Sequence, residues 1–310
     1  MPGPPRFLKP RPLQPGDRVA VVAPAGPLDR EAMDAGLRIL ASRYKVEWDP
    51  GLLSRTRYLA GDDRRRGREL AAVLADPEIR GVVAARGGYG SMRILSEVWP
   101  IAGGKPSAPG PVKMLVGFSD ITALHAAVQA TGRVSVHGPV VTQLGSQPAP
   151  VVERFFSILE DGTSLPAPLC GTPLVGGVAE GSLLGGNLSV LTRLLGTPWL
   201  PDLAGAVLLL EDVGEQPYRI DRMWTHLRLA GVFDRVAGVA LGDFTDCETP
   251  GGEFTLRDII AGLAGETGLP CVGGFPIGHG AVNMPVALGT RVRLDGGAGS
   301  LSFLEPAVAD

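Results

Sequence analysis

The chain has 310 residues, of which 45% are hydrophobic and 5% aromatic, and its formal net charge is −3. This length exceeds what one typical core supports, so two domains are expected. The slight negative charge excludes a general polyanion binder such as a nucleic-acid-binding protein. The three cysteines include no Cys-x-x-Cys pair, which argues against a disulfide framework and a thiolate zinc site.

The amino-terminal segment carries positive charge, but prolines interrupt it and it lacks the apolar run of a secretion signal. No apolar stretch approaches the ~20 residues that a membrane helix needs. We therefore predict a cytoplasmic protein with no membrane partner.

The first half of the chain alternates between predicted strands and predicted helices. The strands are Asp17–Ala23, Tyr44–Trp48, Gly81–Ala85 and Met114–Val116, and the helices are Arg30–Ser42 and Asp62–Leu74. Such alternation predicts an α/β fold with a parallel sheet covered by helices on both faces. Ligands of such sheets collect at the carboxyl ends of the strands.

The composition changes to Gly, Ser and Pro between residues 144 and 173, around one helix-like segment at Val151–Leu159. We therefore predict an N-terminal domain at 1–145, a linker at 146–173 and a C-terminal domain at 174–310. In the last of these the predicted strands are Ala206–Glu211 and Val236–Leu241, with edge strands at Arg291–Leu294 and Ser300–Phe303, and the predicted helices are Gln216–Leu229 and Thr255–Leu263.

The segment Lys113–Thr122, K-M-L-V-G-F-S-D-I-T, indicates a buried strand that turns abruptly into a helix. Gly117 permits the tight turn, and Ser119 is the candidate nucleophile at the helix entrance, where backbone N–H groups favour negative charge. The alternative is that Ser119 is an ordinary helix N-cap.

A serine nucleophile needs a base within hydrogen-bond reach and a group that orients the base. Of the four histidines, His279 is favoured as the base because it stands between glycines in a loop after a predicted strand; His137 is possible, and a turn histidine without a role is the alternative. Glu211 follows the buried run V-L-L-L and is the predicted orienting acid. Asp212 competes with it, and a structural salt bridge is the alternative reading.

An oxyanion hole needs two backbone donors, and the N–H of Asp120 together with one from Gly87–Gly88 would provide them if these loops are neighbours. The surrounding A-R-G-G-Y-G lacks the spacing of a nucleotide-binding loop. Arg86, beside this glycine turn, is a candidate contact for a carboxylate group of a ligand. Tyr89 and Asn187 are further candidate substrate contacts.

Metal binding is predicted to be absent. The acidic residues after the strand Val236–Leu241 have no close histidine, so a solvated loop is the better interpretation. These residues are Asp243, Asp246, Glu248 and Glu253. The basic run Arg64–Arg66 is likewise interpreted as a solvated helix face.

Several motifs, in this order and spacing, resemble the LD-carboxypeptidase family of serine peptidases over nearly the whole chain. They are L-Q-P-G-D-R-V-A-V-V-A-P-A-G-P (13–27), A-R-G-G-Y-G (85–90), G-F-S-D-I-T-A-L (117–124), H-G-P (137–139), G-G-N-L-S-V-L (185–191), L-L-L-E-D (208–212) and G-F-P-I-G-H-G (274–280). The acyl-transfer order Ser, acid, His also occurs in α/β-hydrolases, but G-F-S-D-I lacks the second glycine of their G-x-S-x-G motif.

The resemblance implies a Rossmann-like N-terminal domain, a smaller swivelling β/β/α-type C-terminal domain, a groove between them and a homodimer. It implies a cytoplasmic enzyme that removes terminal D-alanine from peptidoglycan tetrapeptides without a cofactor, with Ser119, His279 and Glu211 as nucleophile, base and acid. Two alternatives remain open. One is a microcin-immunity peptidase acting on aminoacyl-nucleotide analogues, whose members tend to be longer, and the other is a small-molecule binding protein without an activated serine.

Overall fold

The computed structural model describes residues 7–248 and 255–309. The helices are α1 (Arg30–Ala41), α2 (Asp63–Ala75), α3 (Leu95–Val98), α4 (Thr122–Ala130), α5 (Val141–Leu144), α6 (Ala149–Glu160), α7 (Leu188–Arg193), α8 (Pro217–Leu229) and α9 (Leu256–Thr267). The strands are β1 (Arg18–Val22), β2 (Lys45–Glu47), β3 (Ile79–Ala84), β4 (Ile101–Ala102), β5 (Lys105–Pro106), β6 (Met114–Gly117), β7 (Ser135–His137), β8 (Leu169–Cys170), β9 (Thr172–Val175), β10 (Val178–Asn187), β11 (Val207–Val213), β12 (Gly238–Thr245), β13 (Cys271–Gly273), β14 (Val286–Leu288), β15 (Arg291–Asp295) and β16 (Ser300–Phe303). None of the helices in these two ranges is long and apolar enough to cross a membrane.

The first sheet has six strands in the order β14-β7-β6-β3-β1-β2, and only β14 runs antiparallel to its neighbour. Its central strands are continuous apolar runs because both faces are covered. Helices α1, α5 and α6 pack on one face, and α2, α3 and α4 pack on the other. The carboxyl ends of β1, β3 and β6 therefore meet at one edge, which brings their following loops together.

The second sheet has eight strands in the order β8-β16-β15-β10-β11-β12-β13-β9. Its centre, β10 to β13, is parallel, and antiparallel strands flank it on both sides. Helices α7, α8 and α9 cover one face. The predicted α/β class with two sheet-based units is confirmed. The prediction of β15 and β16 as edge strands is wrong, since β8 pairs with β16 and forms the edge.

The two sheets do not divide the chain at one point. The range predicted as a linker contains α6 and β8, and β14 leaves the second half of the chain to pair with β7 in the first sheet. The predicted domain boundaries stay a prediction. The crossing from β13 to β14 passes through the loop of His279, so this loop is anchored in both sheets.

The two units also meet at the entrance of α4. The backbone N–H of Asn187, at the end of β10, donates to Thr122 Oγ1 at 2.9 Å. A Cβ on Gly186 would lie 2.6 Å from that same oxygen, so glycine is required for this approach. This contact places the carboxyl ends of the parallel strands of the first sheet beside those of the second sheet.

Candidate active site

Ser119 lies on a strained turn directly after the buried strand β6. Its φ is +65°, in the left-handed region that residues with a side chain rarely adopt. It opens a 3₁₀ turn, Ser119–Ile121, that continues into α4. Among residues 7–248 and 255–309, no side chain caps either the turn or the helix, and the N-cap positions are Phe118 and Ile121, so the N-cap alternative for Ser119 is wrong. The serine is half-buried, and the strand-turn-helix geometry is that of a nucleophile elbow.

The glycine turn after β3 lies directly against this serine. A Cβ on Gly87 would lie 2.8 Å from Ser119 Cβ and 3.0 Å from Ser119 Oγ. The carbonyl of Gly87 accepts a hydrogen bond of 3.0 Å from the N–H of Gly26, in the loop after β1, and Gly88 has a φ of +107°. The proximity of the elbow and this turn, which the predicted oxyanion hole requires, is therefore present, and the oxyanion role of its N–H groups stays a prediction.

A buried arginine holds the same turn in place. Arg66, on α2, is 0% exposed, and its guanidinium donates to the carbonyl oxygens of Gly90, at 2.9 Å, and Pro24. It also pairs with Asp63, and burial lowers the pKa of its guanidinium. The interpretation of Arg64–Arg66 as a wholly solvated face is therefore wrong at its last residue.

The side chain of Asp120 serves the structure of the elbow. Its Oδ2 accepts a 2.7 Å hydrogen bond from the backbone N–H of Ser91, which follows the glycine turn. The carboxyl is buried, and burial raises its pKa while the Ser91 hydrogen bond opposes that rise. Asp120 thus ties the glycine turn to the helix entrance, and its own N–H stays the predicted second oxyanion donor.

The predicted base and its orienting acid are in contact. His279 Nδ1 lies 2.7 Å from Glu211 Oε2; the Glu211 side chain is fully buried, and 17% of the His279 side chain is exposed. Burial raises the pKa of Glu211, and the hydrogen bond with the imidazole opposes this. Gly278 makes room for the carboxylate, since a Cβ there would lie 2.7 Å from Glu211 Oε2.

The imidazole also lies next to the nucleophile elbow. The ring of Phe118, the residue before Ser119, packs against the ring of His279 with 4.7 Å between centroids. The predicted base, in the loop after β13, therefore lies beside the residue that precedes the predicted nucleophile, at the junction of the two units. The sequence places them 160 positions apart, so only the fold brings them together.

The other histidines are placed differently. His125 is fully buried, and its Nε2 lies 2.8 Å from the carbonyl of Gly117; burial lowers its pKa to about 4. His137 is also fully buried, its pKa is lowered by burial, and neither ring nitrogen has a hydrogen-bond partner within 7–248 and 255–309. His226 is exposed on α8. Glu211 binds none of these three rings.

Asp212, the predicted competitor of Glu211, belongs to a structural network. Its carboxylate accepts hydrogen bonds from Asn187 Nδ2 at 3.0 Å and from the N–H of Ser189 at 2.9 Å. The side-chain oxygen of Asn187 caps α7 by accepting from the N–H of Val190 at 3.1 Å. Both ends of the Asn187 amide are therefore used within the protein, and its predicted contact with substrate stays a prediction.

Two candidate substrate contacts, Arg86 and Tyr89, are exposed on either side of Gly87 and Gly88. Arg86 is exposed, and its guanidinium donates to the carbonyl of Pro27. Tyr89 is 48% exposed and packs edge-on against Tyr58, which is 56% exposed, with 5.6 Å between centroids. Both positions are open to a ligand, and their binding roles stay predictions.

Sequence reasoning missed two residues at the site. Asp243, which the sequence assigned to a solvated loop, follows the buried part of β12. Its N–H donates to the carbonyl of Ile277 at 2.8 Å. Burial raises the pKa of its carboxyl, and the nearby His279 opposes this rise. Its position after a buried strand could have indicated a site residue, as the same position did for Glu211. Asn283, four residues after the base, gave no signal and is fully buried.

Glu253, from the same acidic run, lies outside the described residues. Among 7–248 and 255–309, no group of three or more His, Cys, Asp or Glu side chains is placed to hold a metal ion.

Residues 19–138 match the model of the LD-carboxypeptidase N-terminal domain, and residues 180–294 match that of the LD-carboxypeptidase C-terminal domain. The murein tetrapeptide carboxypeptidase of Pseudomonas aeruginosa is 35% identical over 292 residues, which cover 90% of this chain and 93% of that relative. The crystal structure of muramoyltetrapeptide carboxypeptidase from Oxalobacter formigenes is similar with a TM-score of 0.78 at 26% identity, covering 93% of this chain and 99% of the other.

A more distant likeness joins the chain to the microcin C7 self-immunity protein MccF of Escherichia coli, which is 25% identical over 281 residues and 80% covered on both sides. The two domain matches span most of the chain and fall on its two sheets. The chain therefore belongs to the LD-carboxypeptidase family.

Proposed function

We propose that this protein is a serine carboxypeptidase that hydrolyses the L,D-peptide bond releasing terminal D-alanine from peptidoglycan tetrapeptides. The observation that carries the proposal is the 2.7 Å contact between His279 Nδ1 and Glu211 Oε2, made by an imidazole that packs on the residue before Ser119. A half-buried serine on a strained elbow is the nucleophile that such a pair activates.

In the proposed mechanism, Ser119 Oγ attacks the carbonyl before the terminal D-residue while His279 Nε2 takes its proton. Glu211 holds the ring through Nδ1 and stabilises the imidazolium that forms. The negative charge on the carbonyl oxygen is met by the N–H of Asp120 and by an N–H of the Gly87–Gly88 turn. The imidazolium then protonates the departing amine of D-alanine, and a water molecule hydrolyses the acyl-enzyme with the same base.

Murein peptides are favoured as substrates over microcin-type compounds. The relative named a murein tetrapeptide carboxypeptidase is 35% identical and covered over 93% of its length, whereas MccF is 25% identical and covered over 80%. The resemblance further implies a cytoplasmic homodimer, and sedimentation equilibrium of the purified chain measures the oligomeric state.

The test is incubation of the protein with L-Ala-γ-D-Glu-diamino acid-D-Ala, carrying either meso-diaminopimelate or Lys at the third position, and measurement of free D-alanine. We expect release by the wild type and none by Ser119→Ala, whose thermal midpoint stays within about 2 °C of the wild type because a single half-buried hydroxyl is lost. We expect EDTA to leave the release of D-alanine by the wild type unchanged.

Ser42→Ala, at the exposed C-cap of α1, is the matched control and is expected to retain activity. Cleavage of an aminoacyl sulfamoyl adenosine in place of the tetrapeptide would favour the microcin-type alternative. Undiminished D-alanine release by Ser119→Ala would refute the proposal.

A further inference from the structure

A buried asparagine ties the loop of His279 to helix α5. Asn283 is 0% exposed, and its Oδ1 accepts a 3.0 Å hydrogen bond from the N–H of Gly278, the residue before the base. Its Nδ2 donates to Gln143 Oε1 at 2.9 Å, and its backbone N–H donates to Gln147 Oε1 at 2.9 Å. Asn283 thus makes three hydrogen bonds that join the loop of His279 to the unit built on the first sheet, called the first unit below.

The chemistry of the partners fixes the orientation of this amide. The N–H of Gly278 can only donate, so the oxygen of Asn283 faces it and the NH₂ group faces Gln143. Gln143 must then present its own oxygen. An aspartate at 283 would lack the donor, and an aliphatic residue would lack both groups, which would leave the buried N–H of Gly278 and the partly buried amide of Gln143 without these hydrogen bonds.

The location of these bonds matters because two features of His279 must be set separately. They are the rotation of its imidazole ring and the distance from the ring to Ser119. Glu211, on the second sheet, sets the rotation of the imidazole through Nδ1. The distance from the ring to Ser119, on the first sheet, depends on how the loop sits against the first unit. Asn283 holds this loop there by directional hydrogen bonds next to His279, whereas Phe118 makes a ring contact without a hydrogen bond. At the far end of the loop, Arg154 Nε on α6 also donates to the carbonyl of Pro285 at 2.9 Å.

We propose that Asn283 is a positioning residue that sets the distance between His279 and the hydroxyl of Ser119, with Gln143 as its anchor. This inference rests on the proposed serine-peptidase function. Asn283 does not touch the reacting atoms. A displacement of the base by about 1 Å costs on the order of 10²-fold in rate, because proton transfer requires hydrogen-bond geometry.

The test compares Asn283→Ala and Gln143→Leu with two controls. Gln143→Glu keeps an acceptor for Asn283 Nδ2. Thr290→Val removes another fully buried hydrogen bond, from Thr290 Oγ1 to the carbonyl of Ala287 at 2.9 Å, without touching the loop. We expect kcat for D-alanine release to fall about 10²-fold in the first two variants with KM changed less than about threefold, and to stay near wild type in the controls.

A second readout does not depend on activity. In protein labelled with ¹⁵N-histidine, the ring N–H of His279 bonded to Glu211 gives a proton resonance that is assigned by its loss in His279→Ala. We expect this resonance to broaden through exchange in Asn283→Ala and Gln143→Leu, and to stay sharp in Gln143→Glu and Thr290→Val. Should Asn283→Ala not fold, Gln143→Leu carries the comparison, since it leaves Asn283 in place.

The outcomes separate the two proposals. A wild type that releases no D-alanine defeats the proposed function, while the resonance still decides the role of Asn283. An active wild type together with a sharp resonance and unchanged kcat in Asn283→Ala overturns the inference alone. Equal losses in Asn283→Ala and Thr290→Val also overturn it, since general destabilisation would then explain both.

Discussion

At the scale of single residues, the site depends on positions where a side chain is absent. Gly87 leaves space for the side chain of Ser119. Gly242 and Gly278 leave space for the side chain of Glu211. A Cβ on Gly242 would lie 3.1 Å from Glu211 Cβ and 2.3 Å from the carbonyl of Ile277. The glycine-rich character of these motifs therefore follows from packing around Ser119 and Glu211, since only a missing side chain allows such close approach.

Gly87→Ala tests this packing directly. The added methyl group would meet Ser119 Cβ at 2.8 Å and would displace either the nucleophile or the turn that carries the predicted oxyanion donors. We expect kcat/KM for tetrapeptide cleavage to fall roughly 10²–10³-fold, the cost of losing one oxyanion donor. Gly176→Ala is the matched control, because nothing lies within 4 Å of its Cβ position and its φ is not positive. Equal activity of the two variants would contradict this account of the turn.

At the scale of elements, strand ends and helix contacts decide where the site forms. The carboxyl ends of β3 and β6 carry the glycine turn and the elbow, and that of β11 carries the acid. Opposite Glu211 the pairing of β11 with β12 is irregular, between Leu210 and Asp212. This irregularity lets β12 supply Gly242 beside the carboxylate and Asp243 beside the loop of the base.

The contact of α1 with α5 gives a prediction about stability. A Cβ on Gly36, in α1, would lie 1.9 Å from the carbonyl of Val141, which begins α5. We expect Gly36→Ala to lower the free energy of unfolding by about 1–3 kcal/mol or more. Gly262→Ala in the exposed middle of α9, where nothing lies within 4 Å, should raise it by about 0.5–1 kcal/mol. Urea unfolding measures both, and a shift of the same sign for the two variants would count against the close packing of α1.

Sequence patterns predicted the elements well because buried parallel strands and amphipathic helices have distinct apolar patterns. They also indicate Ser119, Glu211 and His279, since strand ends and glycine loops are where such sheets place ligand-binding groups. The structure brings Glu211 and His279 into contact, and the catalytic roles of the three residues stay predictions. The location of Arg66 and Asn283 was not predictable, because both are buried by partners distant in sequence. The internal position of β16 depends on β8, a two-residue strand too short to leave a pattern.

At the scale of the whole molecule, two histidines are buried without charge beneath the site. The pKa of His125 is lowered to about 4 from 6.5, so between these values the unfolded chain binds a proton that the native protein does not. Stability therefore rises with pH across this window and is lost as pH falls through 6.5 toward 4. His137 acts in the same direction, because burial also lowers its pKa.

Replacing His125 by Gln isolates its share of this dependence. A glutamine amide can still donate to the carbonyl of Gly117, but it does not titrate. Between pH 7 and pH 4 we expect the free energy of unfolding of the wild type to fall by about 3 kcal/mol more than that of the variant, from a pKa difference of roughly 2.5. Chemical unfolding at a series of pH values measures the difference, and parallel curves would contradict a buried neutral His125.

We expect Glu211 to act only through His279, as part of one unit that activates Ser119. The direct measurement is the rate of D-alanine release by Glu211→Gln, by His279→Ala and by the double variant. Glu211→Gln is expected to lose roughly 10⁴-fold in kcat, and the double variant is expected to be no slower than His279→Ala. A double variant whose loss equals the product of the two single losses would show that the carboxylate and the imidazole act independently, and would contradict a single unit of Glu211 and His279.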